Sequence, residues 1–211
     1  MTPGKLAQTS AVVATGAYTA LLLLAGVPLG SSFKHLVSFI PVAVVAIFVA
    51  TDEKLWKWKL VQRVLRRPRL EGTWRLALEP TADSHIPPGG NRGPIDAFCI
   101  IEQTWWGVHV TQVTKESKSD SVGGSIISAE GTSQRRLLFP YTNVPEQKHQ
   151  PRSTQHNGCC SLAAAGLLPE TMTGFYFTNR LTRGDIAGVL LGRATDVVDF
   201  AGLIRKYGPP A

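Results

Sequence analysis

Two long stretches without charged side chains occupy the first quarter of the chain. No charged residue lies between Leu6 and Phe33, and from His35 to Ala50 only the histidine can carry a charge. A helix of about 20 apolar residues crosses the hydrocarbon core of a bilayer. The two stretches therefore predict a transmembrane hairpin within residues 1–51, with spans at about 10–29 and 35–50 and a Pro- and Gly-containing loop at Pro28–Ser32.

Two other interpretations of these stretches exist. A signal peptide is disfavoured because only Lys5 precedes the first stretch and no clear cleavage site of small residues follows it. A pair of buried helices in a soluble core is disfavoured because such helices normally carry a polar stripe. The hairpin remains the interpretation that accounts for the missing charges over so many turns.

The charges that follow the second stretch indicate its orientation. Residues 52–69 form a basic juxtamembrane segment, in which Asp52 and Glu53 are outnumbered by Lys54, Lys57, Lys59, Arg63, Arg66, Arg67 and Arg69. Positive flanks remain in the cytoplasm, which predicts a multi-pass membrane protein with both termini cytoplasmic. Trp56 and Trp58 are placed for an aromatic belt, in a segment expected to continue as a helix along an anionic membrane surface.

Residues 70–211 carry no net charge, with thirteen basic and thirteen acidic side chains. The high pI of the whole chain therefore belongs to the membrane-proximal segment. Binding of DNA or long RNA requires a basic face on the folded domain, so this balance argues against both as partners.

The same 142 residues have the pattern of an all-β domain, with short apolar runs separated by Gly, Pro, Asn and Ser. Eight strands are predicted: Glu71–Leu78, Asp96–Thr104, Trp106–Thr114, Ser121–Ala129, Arg135–Val144, Gln155–Ala163, Thr171–Asn179 and Asp185–Arg193. Regular spacing of short strands favours a sandwich or a barrel, and we expect a small closed antiparallel barrel of about eight strands. Lys115–Asp120 is expected to be a polar loop, Thr81–Pro94 and Pro145–Ser153 either lids or disordered loops, and Val197–Lys206 a possible helix.

Motifs of catalysis are absent from the sequence. It contains no nucleophile elbow, phosphate-binding loop, zinc-protease motif or dinucleotide-binding glycine pattern. Cys99, Cys159 and Cys160 have no zinc-ligand spacing, and a site with His149 and His156 is a weak alternative to reduced strand cysteines. We expect a binding domain that is not an enzyme and holds no metal or cofactor.

Polar and aromatic side chains alternate along two predicted strands. Tyr176, Thr178 and Arg180 share one face of their strand, and Tyr141 and Asn143 share a face of another. Stacking surfaces, amides for base edges and an arginine for phosphate would suit a nucleotide-like ligand. The alternative for each is ordinary, with the tyrosines in the core, the arginine exposed and Trp74 closing one end of the barrel.

The order of these segments resembles a known family of effectors. The barrel contains Glu71–Trp74, Leu138–Pro145, His156–Gly158 and Gly174–Gly184, the last of which reads Gly-x-Tyr-Phe-Thr-Asn-Arg-x-Thr-x-Gly. With the two predicted spans, the chain resembles the two-transmembrane, β-barrel effectors of bacterial cyclic-oligonucleotide antiphage signalling (CBASS). The likeness covers essentially the whole chain, and the last motif is its most specific part.

The resemblance implies a receptor and an effector in one chain. A cognate nucleotidyltransferase would make a cyclic dinucleotide, the barrel would bind it, and association of subunits would disrupt the inner membrane in an abortive infection. The expected ligand-binding residues are Trp74, Tyr141, Asn143, Tyr176, Thr178, Arg180 and Thr182. Arg180 is expected at phosphate, with Arg183 or Trp74 as alternatives.

A membrane-tethered, lipocalin-like carrier or sensor of a small hydrophobic ligand stays open beside it, because eight strands permit one ligand in the interior. A membrane-associated hydrolase is a more distant possibility. The lining of the barrel distinguishes carrier from receptor, since a lipid carrier needs an apolar interior.

Overall fold

The computed structural model describes residues 3–24, 43, 45–47, 49–86, 88–128, 132–151 and 153–209. The chain forms two compact units. One contains the described residues up to Leu65 together with Thr104–Gly107, and the other contains Arg66–Gln103 and the chain from Val108 onward. Within the described residues, no helix combines the length and the apolar character needed to cross a membrane. The end of the first predicted span, the connecting loop and part of the second span lie outside these residues.

The first unit is helical. Helix α1 covers Pro3–Leu24, residues 49–53 are also helical, a 3-10 turn covers Leu55–Lys57, and α2 covers Lys59–Leu65. The expectation of helix in the basic segment is thus met in part. Trp58 is exposed, but Trp56 is fully buried and does not present its ring at the surface as an aromatic belt would require.

Asp52 organises the same unit through two acceptor groups. Its carbonyl oxygen accepts from the backbone N–H of Trp105 at 2.9 Å, and its Oδ1 accepts from the N–H of Trp106 at 3.1 Å. Trp105 and Trp106 lie in the turn Thr104–Gly107. The N–H of Thr104 closes this turn by donating to the carbonyl of Gly107 at 2.9 Å.

The second unit is an antiparallel barrel. Its strands are β1 Gly72–Pro80, β2 Ile95–Gln103, β3 Val108–Thr114, β4 Ser117–Ser121, β5 Ser125–Ser128, β6 Gln134–Pro145, β7 His156–Ala165, β8 Thr171–Thr178 and β9 Arg183–Gly192. Neighbours pair in the order β4-β3-β2-β1-β9-β8-β7-β6, and β4 pairs with β6 to close the ring. The predicted closed barrel of eight strands is confirmed, and β5 adds a ninth strand to the first half of β6.

The closing strand was predicted wrongly. We expected a loop at Lys115–Asp120 and a strand at Ser121–Ala129, whereas Ser117–Ser121 is the strand that completes the ring. Its Ser119 and Ser121 are buried although they are polar. Apolar alternation cannot reveal a strand whose buried face consists of hydroxyl groups, because the pattern depends on apolar residues at every second position.

An apolar cluster fills one end of the barrel. Trp74, Ile101, Val110, Leu137 and Leu162 are at most 1% exposed and belong to one continuous core. They lie on five different strands at inward positions, as the two-residue period of a strand requires. Burial of each such side chain contributes roughly 1.5–3 kcal/mol, so this end carries much of the stability of the barrel.

The segment before β1 seals that end. The Trp74 indole N–H donates to the carbonyl of Leu70 at 2.9 Å, and buried Gln103 donates to the carbonyl of Pro68 at 2.8 Å. The side-chain oxygen of Gln103 accepts from the N–H groups of Leu70 and Glu71 at 2.8 and 3.2 Å. These bonds satisfy the buried polar groups of the irregular segment, as a closed end requires.

Helix α3 covers Phe200–Tyr207 and packs on the outside of β2 and β3. Leu203 is fully buried in a second cluster with Phe98, Ile100 and Val113. Asp199 caps the helix by accepting from the N–H of Gly202 at 2.7 Å. The predicted C-terminal helix is therefore confirmed, with its start at Phe200.

Candidate ligand-binding site

A cavity of about 780 Å³ opens at the other end of the barrel. Along β1, Trp74 belongs to the apolar end, whereas Leu78 and Pro80 line the cavity. The interior thus changes along its length from a packed core to an open pocket. Strands β6 and β8 change in the same way, since Phe139 and Met172 are core residues while Asn143 and Thr178 line the cavity.

One wall of the cavity is a network of amide and hydroxyl groups on β6 and β4. The Asn143 amide donates to the Ser119 and Ser117 hydroxyls at 2.8 and 2.9 Å, across the pairing that closes the ring. Both bonds use the amide nitrogen, so they fix the orientation of the side chain. The wall is polar and held in place.

Tyr141 lies beside Asn143 on β6 and crosses β7 at Gly158. A Cβ at Gly158 would overlap the Tyr141 phenol and would lie 2.9 Å from the carbonyl oxygen of Phe177. Gly158 is the cross-strand partner of Tyr141. The missing side chain therefore gives the phenol ring its place at the floor of the cavity.

Arg180 belongs to the turn between β8 and β9 and reaches across to the chain before β7. Its Nη1 donates to the Ser153 hydroxyl at 3.1 Å and to the Thr154 carbonyl at 3.4 Å. Its Nη2 lies 3.5 Å from Nε2 of His156. Arg180 and His156 both line the cavity, where a guanidinium is suited to an anionic group of a ligand.

The turn that carries Arg180 is held by two threonines. The hydroxyls of Thr178 and Thr182 are 2.5 Å apart, and the Thr178 oxygen accepts from the N–H of Arg180 at 3.2 Å. Between them, Leu181 has a φ of 62° and is exposed. A bulky residue in the left-handed region is a strained conformation that occurs often at ligand-binding turns.

The loop between β1 and β2 reaches the cavity and is fastened to the same turn. The buried hydroxyl of Ser84 donates to the carbonyl of Arg183 at 2.5 Å and accepts from its N–H at 2.9 Å. Asp83 forms an ion pair with the Arg183 side chain, and the N–H of His85 donates to the carbonyl of Leu181 at 3.1 Å. Beyond these contacts, Ile86 and Gly89–Asn91 line the cavity.

Burial determines the protonation states in the cavity. It raises the pKa of Tyr141 above its ordinary range and that of Tyr176 to about 12, so both phenols are neutral hydrogen-bond donors at neutral pH. Burial also lowers the pKa of His156, with a smaller contribution from the positive charge of Arg180. The pKa of Arg180 is lowered by burial, and Tyr141 partly offsets the change.

Six of the seven side chains predicted to bind ligand line this one cavity. They are Tyr141, Asn143, Tyr176, Thr178, Arg180 and Thr182. The predicted alternation on β8 is confirmed, because Tyr176 and Thr178 are buried while Phe175 and Phe177 are half exposed on the outer surface.

The other predicted positions lie elsewhere. Trp74 does not line the cavity but is fully buried in the apolar end. This agrees with the alternative interpretation, in which Trp74 closes one end of the barrel. Arg183, the alternative to Arg180, is exposed and paired with Asp83. Of the two arginines in the motif, Arg180 therefore lines the cavity and Arg183 lies at the surface.

Several residues that line the cavity were not among the ligand-binding residues expected from the sequence. Gln112 on β3 faces inward, donates to the Cys160 sulfur at 3.8 Å and lines the cavity. The two-residue spacing of Val108, Val110 and Gln112 could have revealed this inward position in the sequence. The sequence places His156 in a motif of the family resemblance and in a weak zinc alternative, but not among the expected ligand-binding residues. Within the described residues, no group of three His, Cys, Asp or Glu side chains is placed to hold a metal ion, and the three cysteines are free.

Comparison with known proteins identifies the barrel. The family model described as "Cap15, cyclic dinucleotide receptor domain" matches residues 65–189, more than half of the chain. CD-NTase-associated protein 15 of Yersinia aleksiciae is 33% identical over 135 residues, which are 59% of this chain. The chain spans about 60% of the length of this curated relative. The family resemblance expected from the sequence is thereby confirmed for the barrel: the chain belongs to the Cap15 cyclic dinucleotide receptor domain family.

Proposed function

We propose that this protein is a CBASS effector whose barrel binds a cyclic dinucleotide made by a cognate nucleotidyltransferase. The observation that carries the proposal is the placement of Arg180 at a cavity whose wall also presents the hydroxyls and amides of Ser119, Asn143 and Thr178. Its volume of about 780 Å³ falls within the roughly 300–1,000 Å³ typical of small-molecule sites. A receptor role needs no catalytic group, and the chain acts by binding, without enzymatic activity, metal or cofactor.

Each part of the ligand has a matching group in the cavity. Arg180 pairs with a phosphate, since a guanidinium offers several N–H donors to an anionic oxygen. The rings of Tyr141 and Tyr176 offer surfaces on which bases stack. Asn143, Thr178 and Thr182 contact base edges or ribose hydroxyls, and Gln112 adds a second amide to the wall.

The composition of the lining disfavours the hydrophobic carrier. Leu78, Ile86 and Ile95 line the cavity, but so do Tyr141, Asn143 and Thr178. An apolar ligand there would displace water from these groups and offer them no hydrogen bond in return, which costs free energy. A phosphate-bearing ligand would satisfy them.

The N-terminal region supplies the effector activity in this proposal. Residues 1–51 form the membrane hairpin and residues 52–69 a basic segment at the inner membrane, with both termini cytoplasmic. Support comes from the uncharged stretches and the basic residues after them. The exposed Leu60 and Val64 of α2, beside Lys59 and Arg63, suit an anionic membrane surface.

Association of subunits couples the barrel to the membrane. Two helices are too few to enclose a pathway, and the predicted spans have no charged residue except the histidine at the start of the second to line one. Small residues such as Gly16, Ala17 and Ala20 in the first span, and Ala43 and Ala46 in the second, allow close approach of helices. Ligand binding drives oligomerisation by as much as it favours the associated state.

The decisive experiment is calorimetry of the full-length protein in detergent against a panel of cyclic di- and trinucleotides. A linear dinucleotide and a fatty acid serve as controls. Binding of one cyclic dinucleotide, with growth in assembly size by light scattering, is the expected result. Binding of the fatty acid alone would favour the carrier, and cysteine labelling that places Ala211 in the periplasm would overturn the predicted topology.

A further inference from the structure

The tautomer of His156 follows from its hydrogen-bond partners. Its Nδ1 lies 3.1 Å from the carbonyl oxygen of Thr154. A carbonyl only accepts, so Nδ1 carries the proton and donates it. In the neutral imidazole, Nε2 then bears a lone pair and is directed toward the 3.5 Å contact with Arg180.

This contact brings a cation to an imidazole lone pair. The Nη2 group of Arg180 is the donor and the neutral ring is the acceptor, so the free site favours a deprotonated His156. The ring is also mostly buried, with only 9% of the residue exposed. Both conditions act against a second positive charge at this position while the cavity holds no anion.

We propose that His156 is the second cation of the phosphate subsite and that it becomes protonated at Nε2 when the anion binds beside Arg180. This inference rests on the proposed function, because it specifies how the same cavity recognises the phosphate. The proton comes from the solvent, and no covalent bond of the ligand changes. In the bound state, Nε2–H and a guanidinium N–H both donate to phosphate oxygens.

The change in the protonation state of His156 on ligand binding has an electrostatic cause. In the free protein, burial and Arg180 hold the pKa of His156 below its ordinary value. A phosphate anion within a few ångströms favours the charged imidazole and raises its pKa. Binding therefore takes up a proton between the two pKa values. Affinity is highest at acidic pH and falls as pH rises through the bound-state pKa, about tenfold for each unit by which binding raises it.

Other ionisable groups face the same space and need their own controls. Tyr141, Tyr176 and Arg180 line the cavity but titrate far above neutral pH. Lys115 and Glu116 from the β3–β4 turn and Asp96 from β2 also line it. His149 is the second lining histidine, so its contribution is measured separately.

The experiment is calorimetry of the full-length protein with cyclic dinucleotides in two buffers of different ionisation enthalpy. The difference between the apparent enthalpies gives the number of protons taken up. We expect proton uptake near pH 6.5 and weaker binding at alkaline pH. His156→Gln should bind with an affinity independent of pH and without proton uptake. His149→Gln should keep the proton uptake of the wild type.

His109→Gln is the matched control outside the cavity. His109 lies on β3 beside Asp120, 4.0 Å from its carboxylate, and does not line the site. This variant should keep the wild-type affinity and proton uptake. NMR titration of the His156 ring, with a pKa that rises on ligand addition, gives an independent readout.

The outcomes separate this inference from the function on which it rests. A cyclic dinucleotide that binds with no proton uptake, and equally well across neutral pH, would overturn the role of His156 and leave the receptor intact. Proton uptake retained in His156→Gln but lost in His149→Gln would also overturn it. Failure of every cyclic nucleotide to bind at any pH would contradict the proposed function itself.

Discussion

The phenol of Tyr141 lies across Gly158, its partner on the neighbouring strand, in the space that a side chain there would occupy. Tyr141 is 7% exposed, and its side chain lines the cavity floor. One glycine therefore positions an aromatic surface of the proposed binding site. This relationship links the His156–Gly158 motif of β7 to the Tyr141–Asn143 motif of β6.

Gly158→Ala should move the Tyr141 ring and weaken cyclic dinucleotide binding. The added methyl group meets the phenol and the backbone of Phe177, and such overpacking costs about 1–3 kcal/mol of unfolding free energy. Urea unfolding and calorimetry measure the two effects. Gly123→Ala is the control, because no atom lies within 4 Å of the position of its Cβ. Equal stability and affinity in both variants would contradict the positioning role.

Arg180→Ala should weaken binding by roughly 1.5–3 kcal/mol, the contribution of a hydrogen bond to a charged group. Calorimetry of the folded variant measures the loss. Arg136→Ala removes an exposed arginine from β6 and should leave the affinity unchanged. Unchanged affinity in Arg180→Ala, with the barrel intact by circular dichroism, would place the phosphate elsewhere.

Ser84→Ala should loosen the β1–β2 loop at the mouth of the cavity. It removes a buried hydroxyl that bonds both backbone groups of Arg183, and unsatisfied buried groups cost about 1–3 kcal/mol. Hydrogen exchange at His85 should accelerate. Ser125→Ala, at an exposed position on β5, serves as the control. Unaltered exchange in the Ser84 variant would show that other contacts hold the loop.

The barrel should lose stability at alkaline pH. Burial raises the pKa of Tyr176 and of Cys160 to about 12, so the folded state keeps protons that the unfolded state loses above about pH 9–10. The stabilisation is complete below that range and is lost as pH rises toward 12. Urea midpoints against pH measure the slope. Tyr176→Phe should reduce it, and an unchanged slope would assign the loss to other groups.

Ala17→Trp should abolish toxicity and ligand-driven growth of assemblies while the affinity of the barrel persists. The bulky ring prevents close approach of helices, whereas Ala17→Ser keeps a small side chain and should remain active. Growth assays and light scattering in detergent measure both effects. A ligand-bound protein that permeabilises membranes as a strict monomer would rule the mechanism out.

The sequence predicted the barrel and most of the site because both depend on strand alternation. Tyr176 and Thr178 are two residues apart, so their common face required no knowledge of tertiary structure. Trp74 shows where this reasoning ends. Its strand position was recognised, but which end of the barrel it occupies depends on the pairing of β1 with β2 and β9.

Other features depended on contacts between distant residues. Arg180 and Arg183 have the same side chain in one motif, and only the partner Asp83, far away in sequence, distinguishes them. Likewise, Ser119 and Ser121 become inward strand residues through their pairing with β6. A periodicity argument considers one segment at a time and contains no information on such partners.

The division of the barrel interior into a packed end and an open end has a consequence for how receptors of this kind diversify. Trp74 and Ile101 hold the strands together from a layer that does not line the cavity. A substitution at Gln112, which lines the cavity, would therefore change the chemistry of the open end and leave this packed layer in place. The same scaffold can therefore acquire new ligand preferences without rebuilding its core.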